Sequence, residues 1–205
     1  SWASVDYEGR WKALHYYAKR FFAPVMVSCE EQNWMTAEAN MNREHFVYEK
    51  SIRLNVTNET LEDKKVLVKW ALRNADASVV KAEEREVTVP ALSSVWLNKE
   101  EYPDVDVFGQ YVSYEAWEGD TCISEGSVIF SYPKYFHYLD PQLSYRIEGD
   151  EIVVSAKAYA KGVEILNLSE DLILSDNYFD MSAGEKSSQD PYRSRRACFY
   201  TNHHC

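Results

Sequence analysis

The sequence predicts a mainly β protein: two immunoglobulin-like β-sandwiches preceded by one amphipathic helix. Residues 23–132 carry seven or eight short runs of alternating apolar and polar residues, regularly spaced and divided by polar turns, as a sandwich requires. Residues 142–186 repeat that pattern on a smaller scale, as a second, incomplete sandwich. Helical spacing of apolar residues is clear in one stretch, near the start.

That stretch opens with a short extended run, Ser1 to Val5, after which Asp6 is placed to cap a helix through a free backbone N–H. Trp11, Leu14, Tyr17, Ala18 and Phe21 then form an apolar stripe of period 3.6. Pro24 disfavours helical geometry at Ala23 and ends it. Strand end, loop, helix and exit make one β-α unit with nothing in front of it, which leads us to expect a larger domain upstream.

The alternation that follows predicts strands at Ala23–Cys29, Phe46–Val56, Lys65–Asn74, Glu83–Pro90, Ser93–Leu97, Tyr111–Trp117 and Cys122–Ser131. Glu30 to Arg43 reads as a long connection. Asn58 to Asp63 reads as a turn, Pro90 as a strand end, and Glu118-Gly119-Asp120 as a hairpin. Residues 133–141, with two prolines among aromatics, read as a linker. In the second sandwich, Ser144–Ile147 and Ile152–Tyr159 flank a Gly149-Asp150 turn, and Val163–Leu168 and Leu172–Leu174 follow. From Ser187 the alternation is lost, so residues 187–205 are expected to form an atypical, poorly packed tail.

Four blocks carry a resemblance to a known family. SW-x-S-x-DY-x-GRWKALHYYAKRF-x-APV, within residues 1–25, resembles the last β-α unit of the catalytic barrel in β-mannosidases of glycoside hydrolase family 2. Tyr132–Pro141 (YPKYFHYLDP), Val154–Lys161 (VSAKAYAK) and Leu174–Lys186 (LSDNYFDMSAGEK) continue the resemblance in the same order. It implies a large exo-glycosidase in which this chain supplies the end of a (β/α)8 barrel (1–22) and two C-terminal sandwiches (23–132 and 142–186). The parent would remove terminal non-reducing β-D-mannose, with the upstream barrel as this chain's partner and mannose-containing oligosaccharide reached through it. Its two catalytic glutamates would lie before Ser1, so none carries over.

The net charge of −11 argues against nucleic acid and anionic membrane as partners, since both select a basic face. The aromatic share of 14% serves equally for sandwich cores and for stacking on sugar, so carbohydrate binding and protein interaction stand as rival readings. Compartment is not legible.

Candidate site residues are few. A retaining glycosidase needs two carboxyl groups about 5–5.5 Å apart. Asp6 is explained as a cap, and Glu83-Glu84 and Glu100-Glu101 belong on turns or solvated faces. Trp2, at the mouth of the barrel end, is the substrate-binding candidate, to be weighed against simple packing beneath the loop. Cys198, His203, His204 and Cys205 invite zinc, but adjacent side chains rarely converge on one tetrahedral ion. Asp176 and Asp180 form a turn with an aromatic anchor or, in a sharper reading, a calcium site. No metal or cofactor is expected. Cys29 and Cys122, in the first and last strands of one sandwich, are either bridged or free. Asn55-Val-Thr57, Asn58-Glu-Thr60 and Asn167-Leu-Ser169 match the glycosylation pattern. The helix, lacking a barrel around it, is expected to fold back on the first sandwich about Phe21, Phe22 and Pro24, or to pair with another chain.

Overall fold

The computed structural model describes residues 2–30, 48–167, 173–189 and 199–200. The chain divides into two compact units, Pro24–Tyr138 and the combination of Ser1–Ala23 with Leu139–Cys205. Every strand pair is antiparallel.

The Pro24–Tyr138 unit contains β1 (Val25–Cys29), β2 (Ser51–Ile52), β3 (Leu54–Asn58), β4 (Lys64–Asn74), β5 (Val79–Val89), β6 (Ser93–Trp96), β7 (Glu100–Glu101), β8 (Gln110–Glu118) and β9 (Thr121–Ile129). Its sheets run β5-β4-β8-β9, β1-β3-β6 and β2-β7. β4 shows why the pattern folds as it does. Val66, Val68, Trp70 and Leu72 are all buried, while Lys65 on the opposite face reaches Glu86 of β5 at 2.9 Å. These β4 side chains share one core with Val27 of β1, Leu54 and Val56 of β3 and Val112 of β8. Each buried Val or Leu contributes about 1.5–3 kcal/mol.

Side chains close the seams of this unit. The Val27 N–H donates to Ser124 Oγ at 3.1 Å, tying β1 to β9. Asn58 is fully buried. Its Nδ2 lies 2.8 Å from the Glu62 carbonyl and 3.1 Å from those of Val89 and Pro90, and its Oδ1 accepts from the Thr60 N–H and hydroxyl. Gly126 faces Tyr114 across the β8–β9 ladder; a Cβ there would sit 2.5 Å from the tyrosine oxygen.

The expected run Phe46–Val56 is divided. β2 and β3 are separated at Arg53, whose guanidinium turns out to stack 4.8 Å from the Trp96 ring; residues 31–47, with most of the expected long connection, lie outside the described residues. Glu100 and Glu101 form β7 against Ser51 and Ile52 rather than a turn. Cys29 and Cys122 are not joined in a disulfide, so the bridge is not made.

The other unit combines helix α1 (Ala13–Phe21) with β10 (Ser144–Glu148), β11 (Glu151–Ala156), β12 (Ala160–Val163), β13 (Leu166–Asn167), β14 (Phe179–Met181), β15 (Gly184–Gln189) and β16 (Phe199–Tyr200). The pairings are β10-β11-β15, β12-β14 and β13-β16. Its core gathers Ile152, Val154, Ala156, Val163, Leu174, Phe179 and Met181 around Tyr16 of the helix.

Three expectations change here. The helix packs on the second sandwich through Tyr16 (1% exposed), which is not a member of the apolar stripe, while Leu14 (51%) and Phe21 (55%) stay in solvent. Asp6 does not cap it: the residue before Ala13 is Lys12, which makes no side-chain cap. Finally, β15 continues past Lys186 to Gln189, with Ser188 buried, because its hydroxyl accepts from the Asp176 N–H and donates to the Asp176 carbonyl, while Ser187 stays exposed. Phe199 and Tyr200 pair with Asn167 and Leu166. Cys198, His203, His204 and Cys205, the zinc candidates, fall outside the described residues.

Candidate functional site

The segment carrying Trp2 is held by a compact loop. The Val5 and Trp11 backbones form an antiparallel bridge, and the Lys12 N–H donates to the Ser4 carbonyl at 3.0 Å. Asp6 organises the interior of the loop. Its Oδ1 accepts from the N–H groups of Glu8 and Arg10, both at 2.9 Å, and Arg10 Nε reaches Oδ2 at 2.6 Å. The Arg10 N–H first, with the Arg10 side chain and the Glu8 N–H, holds the Asp6 carboxyl below its ordinary range. An aspartate so stabilised as an anion is a loop fastener, not a proton donor. Trp2 itself is fully exposed.

Behind this loop, the helix meets five consecutive residues of the second sandwich. The Leu174 N–H donates to the Tyr16 hydroxyl at 3.1 Å. Lys19 Nζ donates to the Ser175 carbonyl at 2.6 Å. Arg20 binds Asp176 Oδ1 through Nε (3.2 Å) and Nη2 (3.1 Å), and its Nη2 also donates to the carbonyls of Asn177 and Tyr178. Burial raises the Tyr16 hydroxyl pKa above its ordinary value.

This arrangement answers the calcium reading. Asp176 is occupied by Arg20 and, at 3.3 Å, by Lys186. Asp180 instead accepts from Lys161 Nζ and the Gly162 N–H, both at 2.8 Å. The two carboxylates serve different partners, and no metal-ligating cluster occurs among the described residues. The Tyr16–Lys19–Arg20 set escaped the sequence reading, which followed the apolar stripe. Its signal was the spacing of Tyr16 and Arg20, one turn apart on a single face.

Elsewhere the acids sit on surfaces: Glu83 pairs with Lys81, and Glu100 and Glu101 lie on β7. A crevice lined by Ile52, Leu54, Trp70, Leu97, Asn98 and Glu100 is too narrow to admit water. Asn55 and Asn58, the first two glycosylation candidates, are buried, and the Asn58 amide is committed to backbone carbonyls, so neither offers its nitrogen to a glycan. The Asn167 side chain lies outside the described residues. Among the described tryptophans, Trp70 is buried, Trp11 and Trp117 half-buried, and Trp96 and Trp2 exposed. No described helix is long and apolar enough to cross a membrane.

Comparison with known proteins decides the family. Residues 50–135 match the mannosidase Ig/CBM-like domain, and residues 138–188 match an Ig-fold domain of mannosidases. The chain belongs with the C-terminal region of the glycoside hydrolase family 2 β-mannosidases. The β-mannosidase of Mus musculus is 42% identical over 48 residues, 22% of this chain and 6% of that protein. β-Mannosidase A of Aspergillus terreus is 57% identical over 28 residues, 14% of this chain and 3% of that protein. In fold, the crystal structure of β-D-mannosidase from Dictyoglomus thermophilum matches 98% of this chain at a TM-score of 0.76 and 19% identity. The exo-chitosanase of Amycolatopsis orientalis matches 91% at a TM-score of 0.60 and 12% identity. The chain spans 24% of the Dictyoglomus chain, and its matches to these two curated relatives extend over 6% of their length or less.

Proposed function

We propose that the chain is the C-terminal accessory region of a retaining β-mannosidase-like glycosidase, whose parent hydrolyses terminal non-reducing β-D-mannose residues. Both catalytic carboxylates belong to an upstream (β/α)8 barrel, and Ser1–Phe22 is that barrel's last β-α unit. The observation that carries this reading is the two-faced helix. Its Tyr16–Lys19–Arg20 side is spent on the second sandwich, while Leu14, Tyr17 and Phe21, spaced as one stripe, are left exposed. An apolar stripe of that kind calls for a packed neighbour, and barrel helices and strands are the neighbours such a unit has. Trp2, fully exposed beside this helix, lines the mannose-binding pocket in the intact enzyme.

The isolated chain should not hydrolyse an aryl β-mannoside. Turnover clearly above a buffer blank, and lost on replacing an acid of this chain, would overturn the proposal.

One observation favours carbohydrate binding as a second reading. Trp96 is 47% exposed on β6, with the Arg53 guanidinium over its ring, and an exposed indole is a ready surface for a sugar face. Calorimetry with mannose and manno-oligosaccharides tests it. Saturable sub-millimolar binding, lost in Trp96→Ala, would favour a binding module; a flat titration would leave the region as scaffold.

A further inference from the structure

We infer that loop 174–178 of the second sandwich is a positioning element for the substrate pocket, acting through Tyr16, Lys19 and Arg20 on the segment that carries Trp2. The inference rests on the pocket role proposed for Trp2.

The geometry forms a series of contacts from the loop to Ser4. Each of the five loop residues gives one group to the helix: the Leu174 N–H, the Ser175 carbonyl, the Asp176 carboxylate, and the Asn177 and Tyr178 carbonyls. A planar guanidinium bound to three successive residues tolerates little rotation, so the roll of α1 about its axis is fixed. The loop is itself held from behind. The Asp176 N–H donates to Ser188 Oγ at 3.1 Å. The Asn177 amide is paired with both the N–H and the carbonyl of Ile165, at 2.8 and 3.0 Å. Tyr178 adopts a left-handed backbone, φ 55°, a conformation that a non-glycine residue keeps only where its surroundings enforce it.

From the helix the contacts run forward. The Tyr16 ring lies 5.4 Å from that of Trp11, which also packs against His15 at 4.2 Å. The Trp11 backbone bridges Val5, and Ser4 is held both by the Lys12 N–H and by its hydroxyl near His15 Nδ1 at 3.4 Å. Trp2 stands two residues beyond Ser4. A change in helix roll therefore reaches Ser4 and Val5 through ring packing and backbone bonds, and Trp2 follows two residues along the chain.

The test uses the full-length enzyme carrying this chain and an aryl β-mannoside as substrate. Arg20→Met should raise KM about tenfold while kcat stays within about twofold, and Arg20→Lys should recover part of the loss. Trp2→Ala should raise KM as well, and adding Arg20→Met to it should cost little more, because both act through one side chain. Asp176→Asn, which keeps the loop's shape, gives a milder version of the Arg20→Met effect should that variant fold poorly. An unchanged KM in both Arg20→Met and Asp176→Asn, or an effect of Arg20→Met that is undiminished in the Trp2→Ala background, overturns the positioning role. If Trp2→Ala alone leaves KM unchanged, the pocket reading fails instead, and positioning falls with it. In that case amide exchange at Asp6 and Lys12, measured in the 205-residue chain, still reports whether Arg20 orders the loop: about tenfold faster exchange in Arg20→Met shows the mechanical link standing without its proposed role.

Discussion

Asn58 shows how much one side chain can settle. Its amide joins the end of β3 to the carbonyls of Glu62, Val89 and Pro90. Asn58→Asp keeps the shape but exchanges the donor for an acceptor, leaving carbonyls unpaired beside a buried acid. We expect it to destabilise the first sandwich by about 3 kcal/mol, read by chemical denaturation. From sequence the same residue was legible only as a turn former or glycosylation candidate, because a three-letter pattern does not report burial. Asp6 was half legible. Its preference for a capping role is visible in the sequence, but the N–H groups it accepts from belong to its own loop. Because its folded pKa is lowered, its contribution to stability is complete above the unfolded value near 3.8 and is lost as pH falls through the lower folded value. An NMR titration should show the Glu8 and Arg10 amide resonances unchanged down to about pH 4 and shifting below it; Asp6→Asn should remove that transition.

Alternation located the strands well, because a strand with one buried face writes its environment into every second residue. β4, β8 and β9 begin and end within two residues of the runs read from sequence. Short strands are harder: β2 and β7 are two residues each and carry no period to detect. The helix was found, but its inward face was misassigned. Hydrophobicity picked Leu14 and Phe21, whereas the second sandwich selects Tyr16, whose hydroxyl meets a backbone N–H while its ring fills the core. Two substitutions separate these faces. Tyr16→Ala should destabilise the second unit by about 3–5 kcal/mol in thermal or denaturant unfolding. Leu14→Lys with Phe21→Lys should leave the unfolding midpoint nearly unchanged and make the isolated chain more monodisperse in sedimentation. Unfolding of the whole chain by the double lysine variant would place the stripe in the core.

At the scale of the whole chain, the four sequence blocks and their order were enough to point to the family, and the net charge argued against polyanion partners. The true composition of the second unit was not legible. Arg20 and Asp176 are 156 residues apart, and no periodicity within a helix names a partner at that distance. Each unit has its own apolar core, so Asn58→Asp and Tyr16→Ala should move different transitions in calorimetry; a single transition shifted equally by both would show one cooperative block.

That separation also matters on the ribosome. Helix α1 is made early, and the loop that receives it is completed only after another 150 or so residues, about 8–30 s later at ordinary elongation rates. During that interval the first sandwich can fold, since its strands are complete by Ile129, while Tyr16, Lys19 and Arg20 of the nascent chain have no loop to dock on. The wait leaves an aromatic-rich segment open to chaperones and proteases. Synthesis order, rather than final stability, is where this design is most vulnerable.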